Sequence, residues 1–255
     1  MKISNISRVV AIILAVFFIA VLIAGIWRIE FQSIGALLAD QGFLYSVGFS
    51  LKTSLLPTIL AFITGVPTGF FLARNKGSIS QFLDVVFDIP IVVPPLIVGV
   101  LLITFFNLAF VHDFYRFIFT TSGAVIAQFF VAVPFTIKSS KSAFELIPPI
   151  YERIAMTLGA KAFRSFYDTT FKIAFPGILS GVLLTWLRCL GEFGATLMVG
   201  GGIPGKTENI PINVYLSISS GEFEKGLSAS VITIILVFVC ILVINAVFLR
   251  NQKTL

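Results

Sequence analysis

The stretch Tyr151–Gly177, YERIAMTLGAKAFRSFYDTTFKIAFPG, decides the fold. It is polar, basic and helix-forming, whereas the sequence on both sides is apolar enough for a membrane. A long soluble segment set between such runs is expected to be a loop that touches something outside the bilayer. The runs themselves set the class. Of the 255 residues 57% are hydrophobic and only 12% charged, with a mean hydropathy of +1.03, more apolar side chain than a soluble core of this size can hide. Each crossing of a hydrocarbon layer about 30 Å thick takes about 20 residues, so about six crossings fill the chain as a single domain over residues 1–255. Six apolar runs fit: 8–27, 43–73, 89–107, 119–138, 174–200 and 227–249. The expected class is all-α, a polytopic membrane bundle of about six transmembrane helices.

The first run follows Lys2 and Arg8 but is longer than a signal-peptide core and ends without a small-residue cleavage pattern, so it reads as an uncleaved helix with Trp27 at an interface. Placing both termini and the polar loop on one side collects twelve of the eighteen lysines and arginines there: Lys2, Arg8, Arg74, Lys76, Lys138, Lys141, Arg153, Lys161, Arg164, Lys172, Arg250 and Lys253. Basic residues favour the cytoplasmic side, so both termini and the loop are expected in the cytoplasm of a multi-pass cell-membrane protein. The net charge of +6 is then a topology signal, and a nucleic-acid partner has no soluble binding fold to support it. Cys189 and Cys240 fall inside apolar runs and read as small buried hydrophobes. His112, in a short external loop, stands alone, and no metal site is expected. Lys52 is read as snorkelling to the outer interface.

Two apolar runs carry irregularities. In QFLDVVFDIPIVVPPLIVG, Asp84 and Asp88 share a helix face, Asp88 can cap a helix with Pro90 in its first turn, and Pro94 and Pro95 bend the span. In GVLLTWLRCLGEFGATLMVGGGIPGKT, Arg188 and Glu192 lie four apart in apolar sequence, a spacing that puts both on one helix face turned away from lipid. Gly191 and Gly194 let backbones approach, and Thr196 follows on the same segment. Two roles are open: a mutually neutralising pair that fixes register or closes a gate, and a guanidinium that offers paired donors to a tetrahedral oxyanion. The letters Gly200, Gly205, Lys206 and Thr207 fit a nucleotide-binding loop. Without a preceding strand, and with Pro204 inside, the run is not expected to bind phosphate.

Several of these residues resemble a known family. Glu152, Ala155, Gly159, Ala160 and Pro176 resemble the EAA loop of importer-type ABC permeases, the segment that docks on the ATPase subunit, here about 139–173. The family's acidic residue usually stands where this chain has Arg153, and a common proline is replaced by Lys172. Leu190–Met198, then Gly202–Thr207 and Ile210–Pro211, resemble the signature of molybdate ABC permeases, with sulfate/thiosulfate permeases as close relatives. The resemblance implies a permease subunit of an ATP-driven molybdate importer, with tungstate or sulfate as alternatives, and no enzymatic activity of its own. The ATPase-coupling candidates in this loop are then Glu152, Arg153, Ala155, Gly159, Ala160 and Lys161, while the paired charges and glycines of the fifth apolar run make Arg188, Gly191, Glu192, Gly194 and Thr196 the pathway or gate candidates. The resemblance also implies a second copy of the chain, cytoplasmic ABC ATPases and an extracytoplasmic oxyanion-binding protein as partners. ATP and Mg2+ belong to the ATPase, and no cofactor is expected on this chain. An ion-coupled secondary carrier is a further alternative; it calls for an internal repeat, and none is evident.

Overall fold

A computed structural model describes residues 3–29 and 31–252, and the regular structure of those residues is helical throughout. In chain order the helices are α1 (Ile3–Trp27), α2 (Phe31–Ala39), α3 (Gln41–Arg74), α4 (Ser78–Val92), α5 (Pro95–Phe106), α6 (Ala109–Phe114) and α7 (Thr121–Glu145). They continue as α8 (Ile150–Thr157), α9 (Ala162–Ser165), a π-helical segment (Phe166–Phe171), α10 (Lys172–Leu190), α11 (Gly194–Gly200), α12 (Ile210–Ser219) and α13 (Phe223–Gln252). Among the described residues five helices are long and apolar enough to cross a membrane, or six if the bent pair α4–α5 counts as one span. Four expected spans are single helices: α1, α3, α7 and α13.

The other two are broken, each for a local reason. Proline pushes the residue before it out of helical geometry, and Val93 (ψ 131°) and Pro94 (ψ 133°) are both extended. The chain therefore turns by 113° between α4 and α5, and Pro95 opens α5 at the position where its missing N–H does no harm. Pro90 lies buried inside α4, upstream of the break. Asp88 consequently does not cap a helix, as its sequence context suggested; α4 already starts at Ser78. The expected span 174–200 stops at Leu190, and its last part forms the separate short α11. His112 sits on α6 rather than in a loop.

By contacts the chain divides into two compact units, Met1–Leu44 with Asn213–Leu255, and Tyr45–Ile212. In the first, α2 and α1 each pack on α13. From Val9 to Trp27 the side chains of α1 are apolar and almost all exposed, the pattern of a helix that turns most of its surface to lipid. Asp40 stands between α2 and α3, where its Oδ1 accepts the Gly42 N–H at 2.7 Å and its Oδ2 pairs with Lys225 at 2.6 Å. The Lys225 ammonium, aided by the Gly42 and Phe43 N–H groups, holds the Asp40 carboxyl below its usual pKa against the opposing pull of burial.

The second unit is built around α7, which packs against α10, α11 and α4. Lipid tails are as apolar as leucine, so helices in a membrane associate through close packing and internal hydrogen bonds. The sequence of α3 is written for this. Ser46, Ser50, Ser54, Thr58, Ala61, Gly65, Gly69 and Ala73 recur every three or four residues, and all are buried. The hydroxyls of this seam are used: Ser50 Oγ accepts the Ile210 N–H at 2.8 Å, and Ser54 Oγ accepts Trp186 Nε1–H at 3.0 Å. Lower on the seam, a Cβ on Gly69 would lie 2.7 Å from the Ile137 carbonyl oxygen and 2.8 Å from the Lys141 nitrogen, both backbone atoms of α7. The opposite face of α3 is exposed and carries Leu55, Leu56, Ile59 and Ile63. Gly69→Ala is expected to separate α3 from α7 and to cost about 1–3 kcal/mol through overpacking, read as a lower unfolding temperature of the purified protein. Gly48→Ala, whose Cβ meets nothing within 4 Å, is expected to leave that temperature unchanged.

Candidate functional site

The polar segment after α7 folds as a helix, a turn, a second short helix and the π-helical segment that leads into α10. Its turn is specific. The Gly159 N–H bonds to the Met156 carbonyl and the Ala160 N–H to the Ala155 carbonyl, both at 3.0 Å, and Gly159 takes φ +91°. This is a Schellman closure, which needs a left-handed residue just beyond the helix end, a geometry that only glycine adopts without strain. A Cβ on Gly159 would meet nothing within 4 Å, so backbone conformation and not crowding selects the glycine. The expected loop residues thus come together on α8 and its turn. Glu152, Ala155 and Ala160 are half-buried, while Arg153, Gly159 and Lys161 are exposed. Three large apolar side chains, Leu146, Leu158 and Phe163, stand about four-fifths exposed on the same segment. Arg74 at the end of α3 reaches Glu152 at 3.3 Å, and Lys76 reaches Glu145 at 2.6 Å. The loop therefore sits where α3 and α7 end and α10 begins.

A second locus is the break between α10 and α11. Glu192 lies within the break and not on a helix, because α10 ends at Leu190; the shared helix face expected for Arg188 and Glu192 is replaced by a contact across the helix end. Glu192 is 1% exposed, and each of its oxygens has a task. Oε1 accepts the Ala195 N–H at 2.8 Å, satisfying one of the free donors that open α11. Its backbone carbonyl accepts Asn209 Nδ2–H at 2.6 Å, and Asn209 Oδ1 in turn accepts the Ile212 N–H at 3.1 Å as the N-cap of α12. Oε2 lies 2.5 Å from Arg188 Nη1, an ion-pair contact off the hydrogen-bond direction. Glu192 and Arg188 thus neutralise one another across the end of α10.

The two broken spans meet. A Cβ on Gly194 would lie 2.8 Å from the Leu96 nitrogen, and one on Gly99 2.6 Å from Met198 Cβ. The start of α11 thereby rests on the start of α5, with Thr196 fully buried behind it and Gly191 exposed. The run Gly200–Thr207 closes on itself: Thr207 Oγ1 donates to the Gly200 carbonyl at 2.7 Å and accepts the Ile203 N–H at 3.0 Å. Its hydroxyl is consumed by the turn, and a helix precedes the run where a nucleotide-binding loop needs a strand.

Some residues that hold these elements together escaped sequence reasoning. Lys138 and Lys141, counted only as topology signals, clamp α4: Lys138 pairs with Asp84 at 2.7 Å and Asp88 at 2.8 Å, and Lys141 with Asp84 at 2.7 Å. The one-turn spacings, four residues between Asp84 and Asp88 and three between Lys138 and Lys141, were the available signal. Asn209 was also missed, although a polar residue before Ile210–Pro211 has the form of an N-cap. For Arg74 no local signal existed, since its partner lies 78 residues away.

Removing one member of a buried ion pair leaves an uncompensated charge costing about 3–5 kcal/mol, whereas removing both costs less. Arg188→Gln and Glu192→Gln are therefore each expected to lower the yield of folded protein more than the double replacement does, in a double-mutant cycle. Additive losses would mean that the two side chains act separately.

Comparison with known proteins places this geometry. Residues 65–253 match the family described as "Binding-protein-dependent transport system inner membrane component". The probable transport system permease protein NifC of Clostridium pasteurianum is 34% identical over 220 residues, covering 82% of this chain and 75% of that one. The molybdenum transport system permease protein ModB of Mycobacterium tuberculosis is 31% identical over 230 residues, covering 88% and 86%. Among solved structures, a bacterial ABC transporter involved in the import of the acidic polysaccharide alginate superposes with a TM-score of 0.68 over 87% of this chain and 84% of that one, at 16% identity. Broken spans, a polar helical loop at one end and a family match over most of its length agree: the chain belongs to the binding-protein-dependent transport system inner membrane components.

Proposed function

We propose that this chain is the membrane-spanning subunit of an ATP-driven importer of molybdate, and that α8 is where a separate ATPase docks. The observation that carries the coupling role is the α8 turn: a short helix outside the long apolar helices, closed by a left-handed glycine and flanked by the exposed Leu146, Leu158 and Phe163. An apolar patch on a polar segment calls for a protein partner. The substrate reading rests on the similarity to the molybdenum permease over 88% of the chain. Basic-residue asymmetry supports a cytoplasmic α8. In this reading two copies flank the pathway, an extracytoplasmic binding protein delivers the anion, and the chain itself binds no nucleotide. The broken spans α4–α5 and α10–α11 are its moving parts, because interrupted helices that pack on each other have two discrete arrangements at small cost. The Arg188–Glu192 closure then belongs to the closed arrangement.

Reconstitution tests this directly. Vesicles holding this chain, its ATPase and its binding protein are expected to accumulate molybdate only with ATP on the face that carries α8, with tungstate and sulfate as competitors ranking the selectivity. Gradient-driven accumulation by this chain alone would decide for a secondary carrier. Gly159→Val forces a β-branched side chain into a left-handed position at a cost of about 1–2 kcal/mol or more. It is expected to reach the membrane, to recover less ATPase on purification and to lose uptake.

A further inference from the structure

The coupling helix is held to its own unit mainly by one carboxylate. Glu152 Oε1 accepts Thr170 Oγ1–H at 2.5 Å and Arg74 Nη2–H at 3.3 Å, and the Glu152 carbonyl accepts Ser165 Oγ–H at 2.7 Å. Arg74 is the last residue of α3. Its other terminal nitrogen donates to the Ile147 carbonyl at 2.9 Å, and the guanidinium carbon lies 5.7 Å from the centroid of the Phe70 ring. One planar fork thus joins the end of α3, the turn after α7 and α8. Both side chains of the pair are about one-fifth exposed, so the contact is only partly screened by water.

Thr170 reaches Glu152 because of where it sits. It belongs to the π-helical segment Phe166–Phe171, which takes up one residue more per turn than an α-helix. Removing that extra residue would rotate position 170 by about 100° about the axis and turn its hydroxyl away from α8. The π-segment therefore aims a hydroxyl at the same oxygen that Arg74 holds. On the outward side of α8, Arg153, Ile154 and Leu158 are exposed.

We infer that Arg74 is the positioning residue through which a displacement of α8 is transmitted to α3, with Thr170 transmitting it to α10. This rests on the coupling role proposed above. The seam of small residues then carries the displacement along α3 into α7, since helices in backbone contact cannot slide past one another unnoticed. The fork geometry is what the site uses: arginine can hold Glu152 and the Ile147 carbonyl at once, and a lysine ammonium is a single point charge. Were Arg74 only a cation balancing the α3 helix dipole, lysine would serve equally well.

The test uses the complete complex in vesicles, with complex yield, ATP hydrolysis and molybdate accumulated per ATP each measured. For Arg74→Gln, yield and hydrolysis are expected to stay within about twofold of the parent while anions per ATP fall about tenfold, the loss expected for one charge-assisted hydrogen bond. Arg74→Lys is expected to lose about threefold in the same ratio, and it decides the matter should Arg74→Gln assemble poorly. Adding Glu152→Gln, whose amide oxygen can still accept the Thr170 hydroxyl, to Arg74→Gln should bring little further loss, because the ion pair is already gone. A parental ratio in Arg74→Lys, or reduced yield with an unchanged ratio in what assembles, overturns the inference and leaves the coupling role standing. Failure of the unaltered chain to capture an ATPase at all removes the coupling role and the inference with it.

Discussion

Everything in the Tyr45–Ile212 unit depends on one requirement: a backbone that leaves helical geometry inside a membrane must find its hydrogen bonds within the protein. Two spans break, and each break is closed differently. At Val93–Pro95 two prolines remove donors that would otherwise be unsatisfied, and the bend follows from their sterics. At Gly191–Phe193 a buried carboxylate does the closing, with Glu192 serving the start of α11, the Arg188 cation and, through its carbonyl, the cap of α12. Because Gly194 rests on Leu96, the two closures touch.

The ionic contacts at the other end of the unit have a different character. Arg74 with Glu152, Lys76 with Glu145, and the pair Lys138 and Lys141 with Asp84 and Asp88 tie the ends of helices together. Partly exposed pairs contribute little to stability one by one. Their value here lies in geometry, since they fix which segments lie against one another.

Much of this was legible in the sequence, and the part that was not has a physical reason. Apolar run length located α3 and α13 closely but began α1 late, at residue 8 against Ile3, and ended α7 early, at residue 138 against Glu145, because hydrocarbon thickness sets only a length that composition reveals. Pro94–Pro95 announced a bend. Hydropathy could not see the end of α10, since Glu192 sits among apolar neighbours and its capping role depends on partners such as Asn209, 17 residues away. The same holds for the basic residues: a tally of lysines and arginines treats each as a free charge, although Lys138 and Lys141 are committed to α4. The inward turn of Glu152 and the exposure of Arg153 likewise needed coordinates, since neighbouring helical positions differ by about 100° in direction.

The seam on α3 also says where this sequence is free to drift. Its buried positions admit only small side chains because backbone and hydroxyl partners lie against them, while the exposed leucines and isoleucines of the same helix face outward and are interchangeable with other greasy residues. Most of the chemical variety this helix could tolerate is therefore confined to the face that contributes bulk hydrophobicity and carries no shape information. Two descendants of this chain could come to look quite unlike in their apolar letters and still place every helix end in register, provided the small residues kept their beat.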